Sequence, residues 1–254
     1  MINKNWMPEN TRKLFEFLFN KEELTNAVLV GGTALSIQVG HRLSEDLDFA
    51  FFTETLPCSE IKILLTKIRT YGFQIEPLIS QSQISQARIN GIYLLDYVQD
   101  YNISGAKLSF FTFDKGGKQR KNYFLLSPKI EIGACFKVFA INELFESKCV
   151  VLRDRVKSRD LYDLMYLIKN HNYTIEDIFK NIKKIDDPLE GLEPIKEVLV
   201  GNVPIDKNDT GLLILNDDTG IDNIYEFFQN EINQYEIKQA KAIKKSGTTP
   251  DMGI

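Results

Sequence analysis

The sequence predicts an α+β fold with a strand-rich first half and a mainly helical second half. Three observations lead there. Short apolar runs bounded by glycine or polar clusters recur between residues 27 and 113, and periodic apolar stripes dominate from residue 141 onward. A chain of 254 residues with 43% apolar and 26% charged side chains is also long enough for one large or two small globular domains. With only 8 Pro and 15 Gly it is neither disordered nor fibrous. The division expected is a core over residues 1–135 and a mainly helical domain over 136–254.

Each element has its own signal. From Thr11 to Leu24, Leu14, Phe15, Leu18 and Phe19 recur at helical spacing between charged residues, so an amphipathic helix is expected. Ala27 to Val30 reads as a strand, Gly31-Gly32 as a tight turn and Thr33 to Gln38 as a short helix. Leu47 to Phe52 forms a second strand with acids at its start. Cys58 to Tyr71 is helical, with Ile61, Leu64, Leu65 and Ile68 as its stripe and Gly72 as its stop. Three strands are expected over Phe73 to Ser80, Arg88 to Val98 with a break near Gly91, and Ala106 to Phe113. Lys115 to Lys121 reads as a basic, glycine-containing loop. Short apolar runs near Ile130 and Val138 precede helices over Ile141 to Arg155 and Arg159 to Asn170. Beyond Asp186, Pro and Gly mark turns, Tyr225 to Lys244 reads as a helix, and Gly247 to Ile254 is expected to fray.

Several classes are excluded. With 31 basic against 35 acidic side chains, a nucleic-acid contact must come from local patches. Lys115 to Lys121 and the lysines at 238, 241, 244 and 245 are such patches, although runs of this kind are more often merely solvated. The uncharged stretch Leu24 to Gly40 is too interrupted by polar residues and glycines to span a membrane. Charges at Glu9, Arg12, Lys13 and Glu16 come too early for a signal peptide. Cys58, Cys135 and Cys149, three in number and widely spaced, fit reduced buried thiols better than a disulfide framework or a zinc site. His41 and His171 suggest no metal cluster. A cytoplasmic location is expected.

The chemistry concentrates in Gly31-Gly32-Thr33-Ala34-Leu35, followed by His41-Arg42, Ser44 and Asp46-Leu47-Asp48-Phe49. Glycines between a strand and a helix let a phosphate approach the backbone, and a helix N-terminus offers unpaired N–H groups. In a strand, Asp46 and Asp48 point to the same side. Two carboxylates so placed repel unless a divalent cation lies between them; hard oxygen ligands suit magnesium, which also draws on substrate phosphates. Taken singly, Gly-Gly is more often a simple turn and Asp-x-Asp a solvated cap. Together they point to a metal–nucleotide site.

In this order, with the surrounding His-Arg-x-Ser, these residues resemble the AbiEii/AbiGii toxin family of nucleotidyltransferases, a minimal branch of the DNA polymerase β-like superfamily. Lys148, Arg155 and Arg159-Asp160-x-x-Asp163-Leu164 resemble that family's downstream block, so the likeness spans roughly residues 28 to 170. The resemblance implies a minimal polymerase β-like core with a small mixed sheet. It implies that Gly31 and Gly32, with Thr33, cradle a triphosphate, that Asp46 and Asp48 hold Mg2+, that Lys148 contacts phosphates and that Asp160 completes the site. Arg42, Ser44, Arg155 and Asp163 are further nucleotide-contact candidates; each arginine could equally be a structural ion pair.

The activity implied is attack of an acceptor hydroxyl on the α-phosphorus of a nucleoside triphosphate, with pyrophosphate leaving. RNA such as the tRNA 3′ end is the acceptor that the resemblance suggests, in a toxin–antitoxin or phage-defence system with a cognate antitoxin. A protein or small-molecule acceptor, or a nucleotide-binding regulatory module without transfer activity, remain alternatives. Structural readings stand beside the site roles: Ser158 can cap the helix, Asp160 and Asp163 share its face with Asp160 at its positive end, and Lys148 can snorkel at the surface. There is one departure. Where many relatives in the superfamily carry a third carboxylate on a neighbouring strand, Lys107 to Phe111 places Ser109, a weak ligand and no base. Asp96, Asp114 and Glu131 are other carboxylates that the sequence alone does not place.

Overall fold

The structure, a computed structural model, describes residues 3–113, 117–185, 191–206, 209 and 220–246. Asp114, Lys115 and the side chains of Lys244 and Lys245 lie outside the described residues, as does the segment from Gly247. The chain divides into two compact units, Met1–Ser147 and Lys148–Ile254. No described helix is long and apolar enough to cross a membrane.

The first unit runs α1 (Glu9–Leu18), β1 (Ala27–Val30), α2 (Gly31–Val39), β2 (Asp46–Phe51), α3 (Cys58–Tyr71), β3 (Ile75–Pro77), α4 (Gln81–Ile89), β4 (Val98–Ile103), β5 (Ala106–Thr112), α5 (Gly117–Leu126), β6 (Lys129–Glu131), β7 (Lys137–Phe139) and most of α6 (Ile141–Val151). Its strands form one seven-stranded mixed sheet in the order β3-β4-β5-β2-β1-β7-β6. β2 lies parallel to β5 and β1 parallel to β7; the other pairs are antiparallel. The expected α+β class with a mixed sheet is therefore observed.

Alternation sorts the central strands into two faces. Leu47, Phe49, Phe51, Leu108 and Phe110 are fully buried on one of them. There Phe136 bridges Phe49 (ring centroids 5.0 Å) and Phe15 of α1 (5.8 Å), so the apolar stripe of α1 closes this side of the core. The other face carries Asp46 and Asp48 at one end. Further along it, Phe52 and Phe113 stack at 5.2 Å and Phe113 meets Phe124 of α5 at 4.8 Å.

Several elements depart from expectation for local reasons. α1 stops at Leu18, and Leu24 sits instead on a separate 3-10 turn, Glu22–Leu24, whose i to i+3 bonds replace helical ones. The strand expected over Arg88 to Val98 is not formed. Ser80 and Gln83 make a reciprocal capping box, Gln83 N–H donating to Ser80 Oγ at 3.2 Å and Ser80 N–H to Gln83 Oε1 at 2.8 Å; it starts α4, and a 3-10 turn at Leu94–Asp96 follows. Residues 117–121 of the expected basic loop open α5. α6 ends at Val151 rather than Arg155, unwinding through turn bonds such as Asp154 N–H to the Val151 carbonyl at 2.9 Å.

The second unit contains the end of α6, then α7 (Ser158–Asn170), α8 (Ile175–Ile185), α9 (Glu193–Leu199) and α10 (Ile221–Ser246). No strand occurs among its described residues. α10 packs against α7, α8 and α9, and its Tyr235 meets Phe179 of α8 edge-on at 5.2 Å. No helix is expected at 175–185, yet Ile175, Ile178, Phe179, Ile182 and Ile185 form a fully buried stripe, and Thr174 and Asp177 cap its start reciprocally.

Candidate active site

In the first unit, β1 delivers the chain to Gly31, where α2 begins at once instead of after a separate turn. Gly31 has φ of +74°, a left-handed conformation that side chains disfavour. A Cβ there would also stand 2.7 Å from Oδ2 of Asp48, so only glycine lets this carboxylate lie against the first turn of the helix. Gly32 is constrained by space alone: a Cβ there would meet Arg42 Nη2 at 2.6 Å and Ser44 Oγ at 3.0 Å. Both residues are half-buried.

The segment between α2 and β2 is fixed by backbone and hydroxyl bonds. Thr33 Oγ1 donates to the Asp46 carbonyl and lies 2.9 Å from Ser44 Oγ. Ser44 N–H donates to the Trp6 carbonyl at 3.0 Å, and Thr11 Oγ1 to the Glu45 carbonyl at 3.0 Å. Arg42 Nη1 donates to the Leu43 carbonyl at 3.0 Å. All seven residues singled out here, Gly31, Gly32, Thr33, Arg42, Ser44, Asp46 and Asp48, thus converge around the N-terminus of α2. Asp46 and Asp48 are half-buried, in contrast to the sealed Leu47 and Phe49 between and after them. Two carboxylate side chains on one strand face beside a helix N-terminus form a donor set of the kind magnesium accepts. Among the described residues no group of three or more His, Cys, Asp or Glu side chains could hold a metal; magnesium commonly keeps several waters and binds substrate phosphates beside one or two carboxylates.

Register fixes the neighbours of this corner. Ser109 of β5 is level with Asp48, and Lys107 with Asp46. Serine thus stands where the third carboxylate was expected. Of the other carboxylates considered, Asp96 lies on a 3-10 turn, and Glu131 is exposed on edge strand β6, 3.7 Å from Lys137.

In the second unit, Lys148, Arg155, Asp160 and Asp163 also come together. Asp160 and Asp163 face the same side of α7, and Lys148 Nζ lies between them, 2.5 Å from Asp160 Oδ1 and 2.8 Å from Asp163 Oδ2. Arg155 Nε donates to the second Asp160 oxygen at 3.0 Å. Lys148, Asp160 and Asp163 are 6%, 2% and 0% exposed, which corrects the snorkelling alternative for the lysine. Burial pushes the Asp160 carboxyl up, but Lys148 and Arg155 outweigh it and hold the group below the ordinary carboxylate range. An ammonium has three donors, and these two carboxylates account for two of them. Ser158 does not cap α7: Lys157 takes the N-cap position, and Ser158 N–H is bound by Asp209 Oδ2 at 2.7 Å. Asp209 is distant in sequence and has no local signal for this role.

Comparison with known proteins returns several matches. A family model described as nucleotidyl transferase AbiEii toxin, Type IV TA system, matches residues 12–187. An uncharacterized protein of Aquifex aeolicus is 30% identical over 157 residues, which is 61% of this chain and 64% of the relative. Among solved structures, a putative nucleotidyltransferase from Helicobacter pylori has a TM-score of 0.48 at 19% identity, covering 92% of this chain and 96% of its own. MenT4, a nucleotidyltransferase toxin from Mycobacterium tuberculosis H37Rv, has a TM-score of 0.45 at 14% identity, covering 93% and 94%.

Proposed function

The chain belongs to the AbiEii nucleotidyl transferase toxin family, and from that premise we propose that it transfers a nucleotide from a nucleoside triphosphate to an acceptor hydroxyl. The observation that carries the reading is the Asp48 carboxylate lying against Gly31 at the start of α2, where a side chain on residue 31 would exclude it. Asp46 and Asp48 would hold Mg2+, which supplies charge stabilisation for the α-phosphoryl group and the departing pyrophosphate. The N–H groups at the start of α2 would bind phosphate oxygens, with Arg42, Thr33 and Ser44 shaping the bend. Lys148 would contact phosphate through its remaining donor, held in place by Asp160 and Asp163, with Arg155 as a second cation.

RNA, such as the tRNA 3′ end, is the acceptor favoured by the family resemblance, with a cognate antitoxin as partner, in the cytoplasm and in a toxin–antitoxin or phage-defence setting. Incubation of the purified protein with each labelled triphosphate, magnesium and total RNA tests this. Label in RNA that Asp48→Asn abolishes is the expected result; label only in protein or small molecules moves the acceptor class. No incorporation by folded protein from any triphosphate overturns the reading. Ser109 favours a second reading, triphosphate binding without transfer, which predicts binding with no pyrophosphate release.

A further inference from the structure

The strand register carries a row of polar side chains beyond Asp48. Ser109 is level with Asp48 on one side and with Asp100 of β4 on the other. Residues level across a sheet share a face, so Asp48, Ser109 and Asp100 line up on the face that bears the glycine bend. With strands about 4.8 Å apart, the two aspartate backbones stand roughly 10 Å from each other. Between them is only a hydroxymethyl group. Ser109 is 4% exposed and its Oγ, like those of Ser36 and Ser158, has no protein hydrogen-bond partner, so its hydroxyl keeps hydrogen-bonding capacity to offer. Asp100 is 27% exposed, with Lys107 Nζ 4.0 Å from its Oδ2. The charged groups on this face are Asp46 and Asp48 of β2, Lys107 of β5, Asp100 itself, Glu76 of β3, level with Asn102 beside Asp100, and, toward the other edge of the sheet, Lys137 of β7 with Lys129 and Glu131 of β6.

We propose that Asp100 supplies the missing third carboxylate from one strand further out, as the group that receives the proton of the attacking hydroxyl, with Ser109 Oγ positioning that hydroxyl. This rests on the transfer reading above. The acceptor oxygen forms its bond to the α-phosphorus, the bond from that phosphorus to the bridging oxygen breaks, and its electron pair leaves on pyrophosphate. The hydroxyl proton passes to the Asp100 carboxylate and from there to water. A base must lie within hydrogen-bond reach of the proton it takes, and serine, with one heavy atom beyond Cβ, fills little of the line between the two acids. Asp100 does not join Asp46 and Asp48 as an ion ligand in this scheme, in keeping with the lack of a three-acid cage among the described residues.

The test compares wild type, Asp48→Asn, Asp100→Asn, Asp100→Glu and the double variant Asp100→Asn/Ser109→Asp. Asp100→Asn is expected to lower kcat about 100-fold or more with the triphosphate KM unchanged. Asp100→Glu should keep part of the activity. The double variant, with the carboxylate moved one strand inward, should regain much of what Asp100→Asn loses, which a merely structural role for Asp100 would not allow. Wild-type kcat in Asp100→Asn, with Asp48→Asn inactive, overturns the assignment of Asp100 and leaves the transfer reading standing. Loss of triphosphate binding in Asp100→Asn, unrepaired in the double variant, also overturns it. No transfer by wild type overturns both.

Discussion

Asp46 and Asp48 on β2 and Asp160 and Asp163 on α7 are both pairs of carboxylates brought to one face by their spacing, i and i+2 in a strand and i and i+3 in a helix. Their surroundings differ. The strand pair is half-buried at the end of the sheet, beside glycines that keep a helix N-terminus within reach. The helix pair is sealed, with Lys148 between its members and Arg155 on its flank. A partly open pair keeps its solvation and can take a ligand at modest cost to the fold. A sealed pair must be balanced within the protein. The first arrangement suits ion and phosphate binding; the second suits holding one lysine in a fixed position.

Substitutions at the two places should therefore differ in kind. The largest expected effect is at the sealed pair: Lys148→Ala strands two buried carboxylates and should destabilise the protein by about 3–5 kcal/mol in chemical denaturation. Adding Asp160→Asn and Asp163→Asn should recover most of that loss; no recovery breaks the contrast. Next comes Gly31→Ala, which places a Cβ against Asp48 and forces a left-handed alanine. It should cost about 1–2 kcal/mol and weaken triphosphate binding, read by denaturation and by a fluorescent triphosphate. The smallest effect is with pH. Asp160 has a folded-state pKa held below its unfolded value, so its stabilising contribution is complete above the unfolded carboxylate range near about 4 and is lost as pH falls through the folded value. Asp160→Asn should flatten stability against pH in that acidic window; an unchanged acid limb contradicts this balance.

How much of this was legible in the sequence follows from which contacts are local. β1, α3 and the start of the site at Gly31 follow from short-range patterning, and α3 matches its expected span from Cys58 to Tyr71. The Ser80–Gln83 capping box and the Thr174–Asp177 pair are also local, and reading them as helix starts gives α4 and α8, where apolar run length misleads or is passed over. The pairing of Asp46 with Asp48 follows from strand period alone. The enclosure of Lys148 does not, because it needs α6 and α7 to pack. Nor does the row through Ser109 to Asp100, since cross-strand register joins residues that no spacing in the chain relates. Asp209 at the start of α7 is likewise a tertiary contact.

The central claim, that Asp46 and Asp48 hold a divalent ion together with a triphosphate, is tested most directly by equilibrium binding of a fluorescent nucleoside triphosphate with and without magnesium. Magnesium should tighten binding to the wild-type protein by roughly tenfold or more, and Asp48→Asn, folded as wild type by circular dichroism, should lose that gain. Equal magnesium dependence in the two proteins would contradict the assignment.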